Sequence, residues 1–375
     1  MEWYICLFIL VMILSFLDFS KLDICYKQCV MLFLSFIFLI LASIRWKTGT
    51  DWAMYYDLYN NNNSLYDFLS VSDNVQAQEL GFCLLNWAVK SIFDDYNVLL
   101  FIIALIILVI KYNWYNQYMP FPLVALFVNF SSYLGDIFFI RQSLAIAITI
   151  FAFRYIVRKQ FWLFVSFVLL AGSMHTSAII FIPAYWIYHL QITAKKIVLL
   201  VSVCIGIDAF KLTALAISAF LEFFPSDMGK IVQKIWEYYL LEQVGEDHGN
   251  VMDGSSRMMI AYVRRIFLIP IYLYFSSYIS QHNKYYRGCL NLVVFGHILF
   301  FITGILGMDF AGRLAIFYYV YEVLLITCLM MLCKSLGSKI IFYILLSIYG
   351  FLKYWYVFYN LGSAYIPYSH IFEML

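Results

Sequence analysis

The amino-acid sequence predicts an all-α polytopic integral membrane protein with about twelve transmembrane helices and two longer extracytoplasmic loops. Three observations carry this prediction. Of 375 residues, 64% are hydrophobic and only 12% charged, where a soluble domain runs at roughly 45–50% and about 25%. Mean hydropathy is +0.84. Apolar runs of bilayer length recur along the whole chain, and aromatic residues, 21% of the total, suit interfacial belts and a packed bundle. A net charge of +2 without any basic run excludes a nucleic-acid partner.

The spans are placed at 2–18, 29–44, 96–112, 120–135, 138–157, 160–174, 176–191, 197–221, 259–280, 289–308, 312–333 and 339–359. The first, "MEWYICLFILVMILSFLD", has neither a basic leader nor an A-x-A cleavage site and reads as a retained span. Spans 160–174 and 176–191 are separated only by His175. The stretch 79–93 is apolar but short and punctuated, and reads as an interfacial or re-entrant helix. Asn60–Asn63 reads as a turn. There is no internal repeat and no soluble stretch of domain size, so the chain reads as one transmembrane domain over 1–375. The eight cysteines form no CxxC pair, the nearest spacing being Cys25 and Cys29. Neither a disulfide framework nor a metal site is expected.

Orientation follows from the basic residues. One set of connections holds Lys21, Lys27, Lys111, Arg154, Arg158, Lys159, Lys195, Lys196, Lys284, Arg287, Lys334 and Lys339, which is 12 of the 24 basic residues. This face is expected to be cytoplasmic. The opposite face carries the acid-rich loops 45–95 and 222–258.

The positive-inside rule leaves a second group of cations unexplained. Arg45, Arg141, His175, Arg264, Arg265 and Arg313 all fall near the outer ends of spans. An arginine within a span costs roughly 2.5–3.5 kcal/mol on insertion scales. Snorkelling relieves one such residue, and it accounts for Arg45 and Arg313 taken singly. Several at one depth point to a shared anion, and guanidinium forks match phosphate oxygens. Arg264 and Arg265 are adjacent and point about 100° apart on a helix, so only one is expected to face a cavity. A lone histidine beside Ser and Thr is otherwise an ordinary interfacial residue. Asp208 and Lys211, at i and i+3, neutralise each other, and Glu322 is expected to be paired or protonated.

The acids near the arginines are Asp51, Glu79, Asp136 and Asp309. Glu79, Asp51 and His175 are the candidates for a general base. Asp51 follows Gly49, which permits a tight turn, and Glu79 also suits a helix N-terminus. The aromatics of "IRWKTGTDWAMYYDLYNNNN", Trp52 and Tyr55 among them, read either as an interface belt or as a stacking platform for sugar rings. No D-x-D stands in an outer loop, so a metal-bound nucleotide-sugar mechanism has no support, and no cofactor is expected.

The succession "RWKTGTDWAMYY", "ELGFCLLN", "FIRQSLAIAITIFAFRYI", "MHTSAIIFIP" and "GRLAIFYYVYE" resembles the EpsG family, bacterial membrane proteins similar in role to Wzy-type polymerases. Glu79-Leu80-Gly81-Phe82, Arg141-Gln142, His175-Thr176-Ser177-Ala178 and Arg313-Leu314 match the family pattern as they stand. One extra residue separates Arg45 from Gly49-Thr50-Asp51, and Trp52 stands where the family usually has Tyr. The resemblance implies an inner-membrane enzyme facing the exterior. It would transfer a growing glycan from polyprenyl diphosphate onto the next lipid-linked repeat unit, in O-antigen, capsule or exopolysaccharide synthesis. Its partners would be the polyprenyl-diphosphate-linked oligosaccharide, membrane lipid and a candidate chain-length regulator protein. Substrate contacts would fall to Arg45, Arg141, Gln142, Arg264, Arg265, Arg313, Trp52 and Tyr55. An O-antigen ligase-like enzyme and a flippase of the same lipid are the alternatives.

Overall fold

In the computed structural model, residues 2–71, 78–209, 212–223, 252, 254–304 and 308–374 are described. Of the described residues, 83% are helical. In order, the helices are α1 Glu2–Ser15, α2 Ile24–Ile44, α3 Trp52–Asn61, α4 Leu65–Val71, α5 Leu80–Lys90, α6 Tyr96–Tyr118, α7 Pro122–Ser132, α8 Gly135–Phe138, α9 Arg141–Val157 and α10 Phe161–Met174. There follow α11 Ala184–His189, α12 Ala194–Ala209, α13 Leu212–Phe223, α14 Gly254–Tyr274, α15 Ser276–His282, α16 Tyr286–Thr303, α17 Met308–Tyr319, α18 Glu322–Leu329 and α19 Leu336–Tyr365. Two dipeptide strands, β1 Arg45–Trp46 and β2 Ser369–His370, pair antiparallel.

Among the described residues, five helices are long and apolar enough to cross a membrane, or seven if each bent pair counts as one span. The bent pairs are α14 with α15, at 61°, and α17 with α18, at 51°. This establishes a polytopic α-helical membrane protein without establishing twelve spans. The reason lies in the short pieces. At 1.5 Å per residue, the 11 residues of α7 rise about 16 Å, half of a hydrocarbon core of about 30 Å. The stretch 176–191 is likewise no single helix. It is a 3₁₀ turn over Thr176–Phe181 followed by the six-residue α11. The helix expected at 79–93 is present as α5.

Two compact units are formed: Met1–Ile182 with Met330–Leu375, and Pro183–Leu329. In the first unit, α19 packs on α1 and α7. Gly350 makes the approach to α7 close, since a Cβ there would lie 3.0 Å from Ser131 Oγ and 3.1 Å from Phe127. Tyrosine hydroxyls then satisfy carbonyls in an apolar setting where none can stay bare. Tyr4 donates to Tyr365 O at 2.7 Å, Tyr354 to Tyr4 O at 2.9 Å and Tyr343 to Met12 O at 2.5 Å. Phe8, Phe127, Phe130 and Tyr354 fill the core between them.

The polar stretch after α2 is a clasp. The guanidinium of Arg45, 2% exposed, donates through Nη1 to Phe138 O at 2.6 Å and Thr48 O at 3.2 Å. Gly49 sits at φ +111°, and a Cβ on it would meet Arg45 Nη1 at 2.9 Å. That is why glycine is needed there. The Gly49 N–H donates to Ala364 O at 2.8 Å, and β1 pairs with β2 beside it.

In the second unit, α16 packs on α11, α12 and α17. Gly288 lets α16 meet Tyr188, where a Cβ would fall 2.2 Å from the ring. Arg265, 3% exposed, donates to Tyr319 Oη at 2.9 Å and Ala261 O at 2.7 Å, and lies 3.6 Å from the Phe300 ring centre. Most of the loop expected at 222–258, together with Lys211 and the side chains of Asp208 and Asp309, falls outside the described residues.

Candidate functional site

Four segments of the first unit meet around one carboxylate and the arginine paired with it. Glu79 immediately precedes α5, where a side chain ordinarily caps the helix, yet it makes no such bond. Its oxygens are spent across the unit instead. Oε2 accepts from Arg141 Nη1 at 2.5 Å. Oε1 accepts from the Thr176 N–H at 3.0 Å and the Thr176 hydroxyl at 3.2 Å, and faces His175 Nδ1 at 3.3 Å. Tyr55 on α3 completes the group, its hydroxyl accepting from Arg141 Nε at 2.7 Å. The guanidinium lies 5.1 Å from the Tyr55 ring centre and 5.8 Å from that of Phe82, within cation–π range.

Local sequence explains each placement. Arg141 is the first residue of α9, the end of a helix dipole that repels cations. A carboxylate partner offsets that repulsion. His175 is extended, at φ −154° and ψ 113°, because α10 stops at Met174 and the His175 N–H closes it on Ala171 O at 2.9 Å. The break turns the imidazole and the Thr176 amide toward Glu79. Gly81 sets the approach of α5 to α10: a Cβ there would lie 2.2 Å from Ser173 Oγ and 2.8 Å from Ser173 O. Any larger residue would lift Glu79 away from Thr176. This is the physical content of the Glu79-Leu80-Gly81-Phe82 run.

The electrostatics favour the charged carboxylate. Glu79 lies in the connection between spans. Burial pushes its carboxyl up, but the His175 hydrogen bond, the Arg141 charge and the Thr176 amide outweigh burial and hold it well below the usual carboxylate range. A carboxylate held so firmly ionised is a poor proton acceptor near neutral pH. It is well suited to orienting the imidazole. Two atoms keep open valences: among the described residues, no hydrogen bond to His175 Nε2 or to Arg141 Nη2 is formed. The side chains are part-exposed, Arg141 by 18% and His175 by 17%.

The other expected residues are placed differently. Arg45 is buried with Nη1 on backbone carbonyls, so its charge holds the clasp. Trp52 is 4% exposed, stacked on Tyr56 at 4.7 Å and edge-on to Trp46 and Tyr96. At that burial the ring presents little surface for a sugar to stack on. Asp51 is exposed and its side chain has no hydrogen-bond partner among the described residues. Gln142 is half-buried beside Arg141. Arg264, Arg265 and Arg313 belong to the second unit. Arg265 is the buried one of the adjacent pair, Arg264 is half-buried and Arg313 is exposed. Glu322 accepts from Tyr272 Oη at 3.2 Å.

Three groups escaped the sequence reading. Thr176, within the quoted "MHTSAIIFIP", supplies two of the bonds to Glu79. His297 is fully buried in the second unit, its ring 5.0 Å from that of Tyr319, with neither nitrogen hydrogen-bonded among the described residues. Lys111, counted above among cytoplasmic cations, is 2% exposed and paired with Asp136. Its position seven residues before the end of α6 mimics a span terminus in sequence, while its partner lies 25 residues away.

Comparison with family models gives a match to the EpsG family over residues 28–370. No curated protein and no solved structure matches the chain.

Proposed function

The chain belongs to the EpsG family, and on that premise we propose that it is a polysaccharide polymerase, a membrane glycosyltransferase that extends a glycan carried on polyprenyl diphosphate. The observation that carries this reading is the single carboxylate, Glu79, bracing a guanidinium and an imidazole that each keep one nitrogen open. In the proposed reaction, His175 Nε2 accepts the proton of an acceptor sugar hydroxyl. The hydroxyl oxygen bonds to the anomeric carbon of the donor glycan. The bond from that carbon to the diphosphate oxygen breaks, and polyprenyl diphosphate leaves with the electron pair. Arg141 Nη2 donates to a phosphate oxygen and stabilises the charge that gathers there.

Glu79 holds the imidazole in the tautomer that presents a bare Nε2 and stabilises the imidazolium formed on proton transfer. Tyr55 and Phe82 hold the guanidinium plane. Arg313, exposed on the second unit, is assigned to lipid phosphate. The proposed setting is the bacterial inner membrane with the site facing the exterior, where lipid-linked repeat units are joined. Arginine supplies the positive charge, so the proposed step uses no metal.

The test is elongation by the purified protein in vesicles given lipid-linked repeat units. The expected product is a ladder longer than one repeat with wild-type protein and single units only with Arg141→Ala. No ladder from well-folded wild-type protein would sink the function. A normal ladder from both Arg141→Ala and His175→Asn would sink the site. Transfer to a lipid A core acceptor in place of a repeat unit would mark a ligase instead.

A further inference from the structure

A second ion pair, this one buried, lies close in sequence to Arg141 without touching it. Lys111 on α6 donates to both oxygens of Asp136, at 2.7 and 2.6 Å, and to Asn129 Oδ1 at 3.3 Å. Asn129 on α7 donates in turn to Asp136 Oδ2 at 2.8 Å. Lys111 is 2% exposed and Asp136 9%. The three ammonium protons have acceptors in this cluster, so it offers a ligand no unspent charge.

Its position suggests another role. Asp136 lies on α8, inside the break that joins α7 to α9, and Arg141 is the first residue beyond that break. The break is pinned at three points. Lys111 and Asn129 hold its middle through Asp136. Arg45 holds Phe138 O at 2.6 Å. Tyr133, at its start, meets Ser143 Oγ on α9 at 2.9 Å. Two of the three pins are buried cations of the first unit.

We propose that the Lys111–Asp136–Asn129 cluster is a positioning lock for Arg141, fixing the register of the break so that the guanidinium meets a lipid-linked phosphate in one pose. The proposal rests on the reading of Arg141 given above. Lys111 and Asp136 act through Arg141 and touch no substrate. A misplacement of about 1 Å costs on the order of a hundredfold in rate when the displaced group must meet a reacting one.

The experiment separates positioning from folding by removing both charges together. A buried ion pair replaced by apolar residues of similar volume is often as stable as before. The double variant Lys111→Met with Asp136→Leu is therefore expected to melt with the wild type. Two readouts follow: amide hydrogen exchange over residues 133–144, and binding of a short prenyl diphosphate by the detergent-solubilised protein. The lock predicts faster exchange confined to that segment and binding weakened by about tenfold or more. Wild-type exchange and wild-type binding in a stably folded double variant overturn it. If the double variant does not fold, Asn129→Ala decides in the same way, with a severalfold loss of binding expected and none overturning the lock. If wild-type protein binds no prenyl diphosphate, the functional reading of Arg141 falls, and the exchange measurement alone decides whether the lock exists.

Discussion

Arg141 and Lys111 are both cations held against a carboxylate in the first unit, and they differ in what is left over. The Lys111 ammonium is enclosed by Asp136 and Asn129 with its donors used. Arg141 gives Nε to Tyr55 and Nη1 to Glu79 and keeps Nη2, beside a histidine that keeps Nε2. Burying a charge is costly in both places, and the same pairing offsets it. Saturation, more than burial, separates a cation that holds the frame from one that can meet a ligand. Arg45 stands apart by this measure: Nη1 serves backbone carbonyls, while its buried Nε has no hydrogen-bond partner among the described residues.

The sharpest way to break the contrast is at the carboxylate. Glu79→Gln removes the charge that Arg141 and His175 share, and is expected to cost about 3 kcal/mol of stability as well as activity. The pH dependence has a definite sign. Because the folded carboxyl lies below its unfolded value, its stabilisation is complete above the unfolded pKa of about 4.3 and is lost as pH falls through the folded one. Thermal melts should show the wild type approaching Glu79→Gln only below about pH 4. The next effect is Arg141→Lys, which keeps the charge but not the fork. Chain elongation should fall by roughly a hundredfold, about 2.7 kcal/mol, and retained elongation would move Arg141 into the same class as Lys111. Gly81→Ala should cost about 1–3 kcal/mol through its clash with Ser173, read as a lowered melting temperature that Ser173→Gly partly restores. Asp51→Asn is the smallest change, expected within about twofold of wild-type elongation, as befits an exposed side chain. A loss well beyond that would return Asp51 to the candidates for the base.

Legibility followed the same line. Glu79, Arg141, His175 and Tyr55 stand out in the sequence because a polar side chain among apolar neighbours needs a reason, and each has one in the site. The α5 helix was legible from its short apolar run behind Glu79. What a residue read singly did not show was a partner distant in sequence outside that group. Lys111 and Asp136 are 25 residues apart, and Arg45 and Phe138 are 93 apart. Read singly, Lys111 looked like the end of a span and Arg45 like a snorkelling cation. Trp52 looked like an open aromatic face because its stacking on Tyr56 and its edge-on contact with Trp46 are properties of the folded loop. The short α7 and the broken stretch after His175 keep the twelve spans from being established, for a related reason. Hydropathy averages over a break that hydrogen-bond geometry resolves.

The bonds between α1 and α19 also set a timetable. Tyr4 reaches the ribosome's exit 361 residues before Tyr365, the residue whose carbonyl its hydroxyl will find. At ordinary elongation rates of about 5–20 residues per second, that interval is roughly 20–70 s. Throughout it, α1 has α7 to pack on, through Phe8 and Phe127, but not α19, while the whole of Pro183–Leu329 is laid down. The segment that carries Glu79, Arg141 and His175 is therefore made early but closed late. Its clasp at Gly49 is completed only when Ala364 arrives.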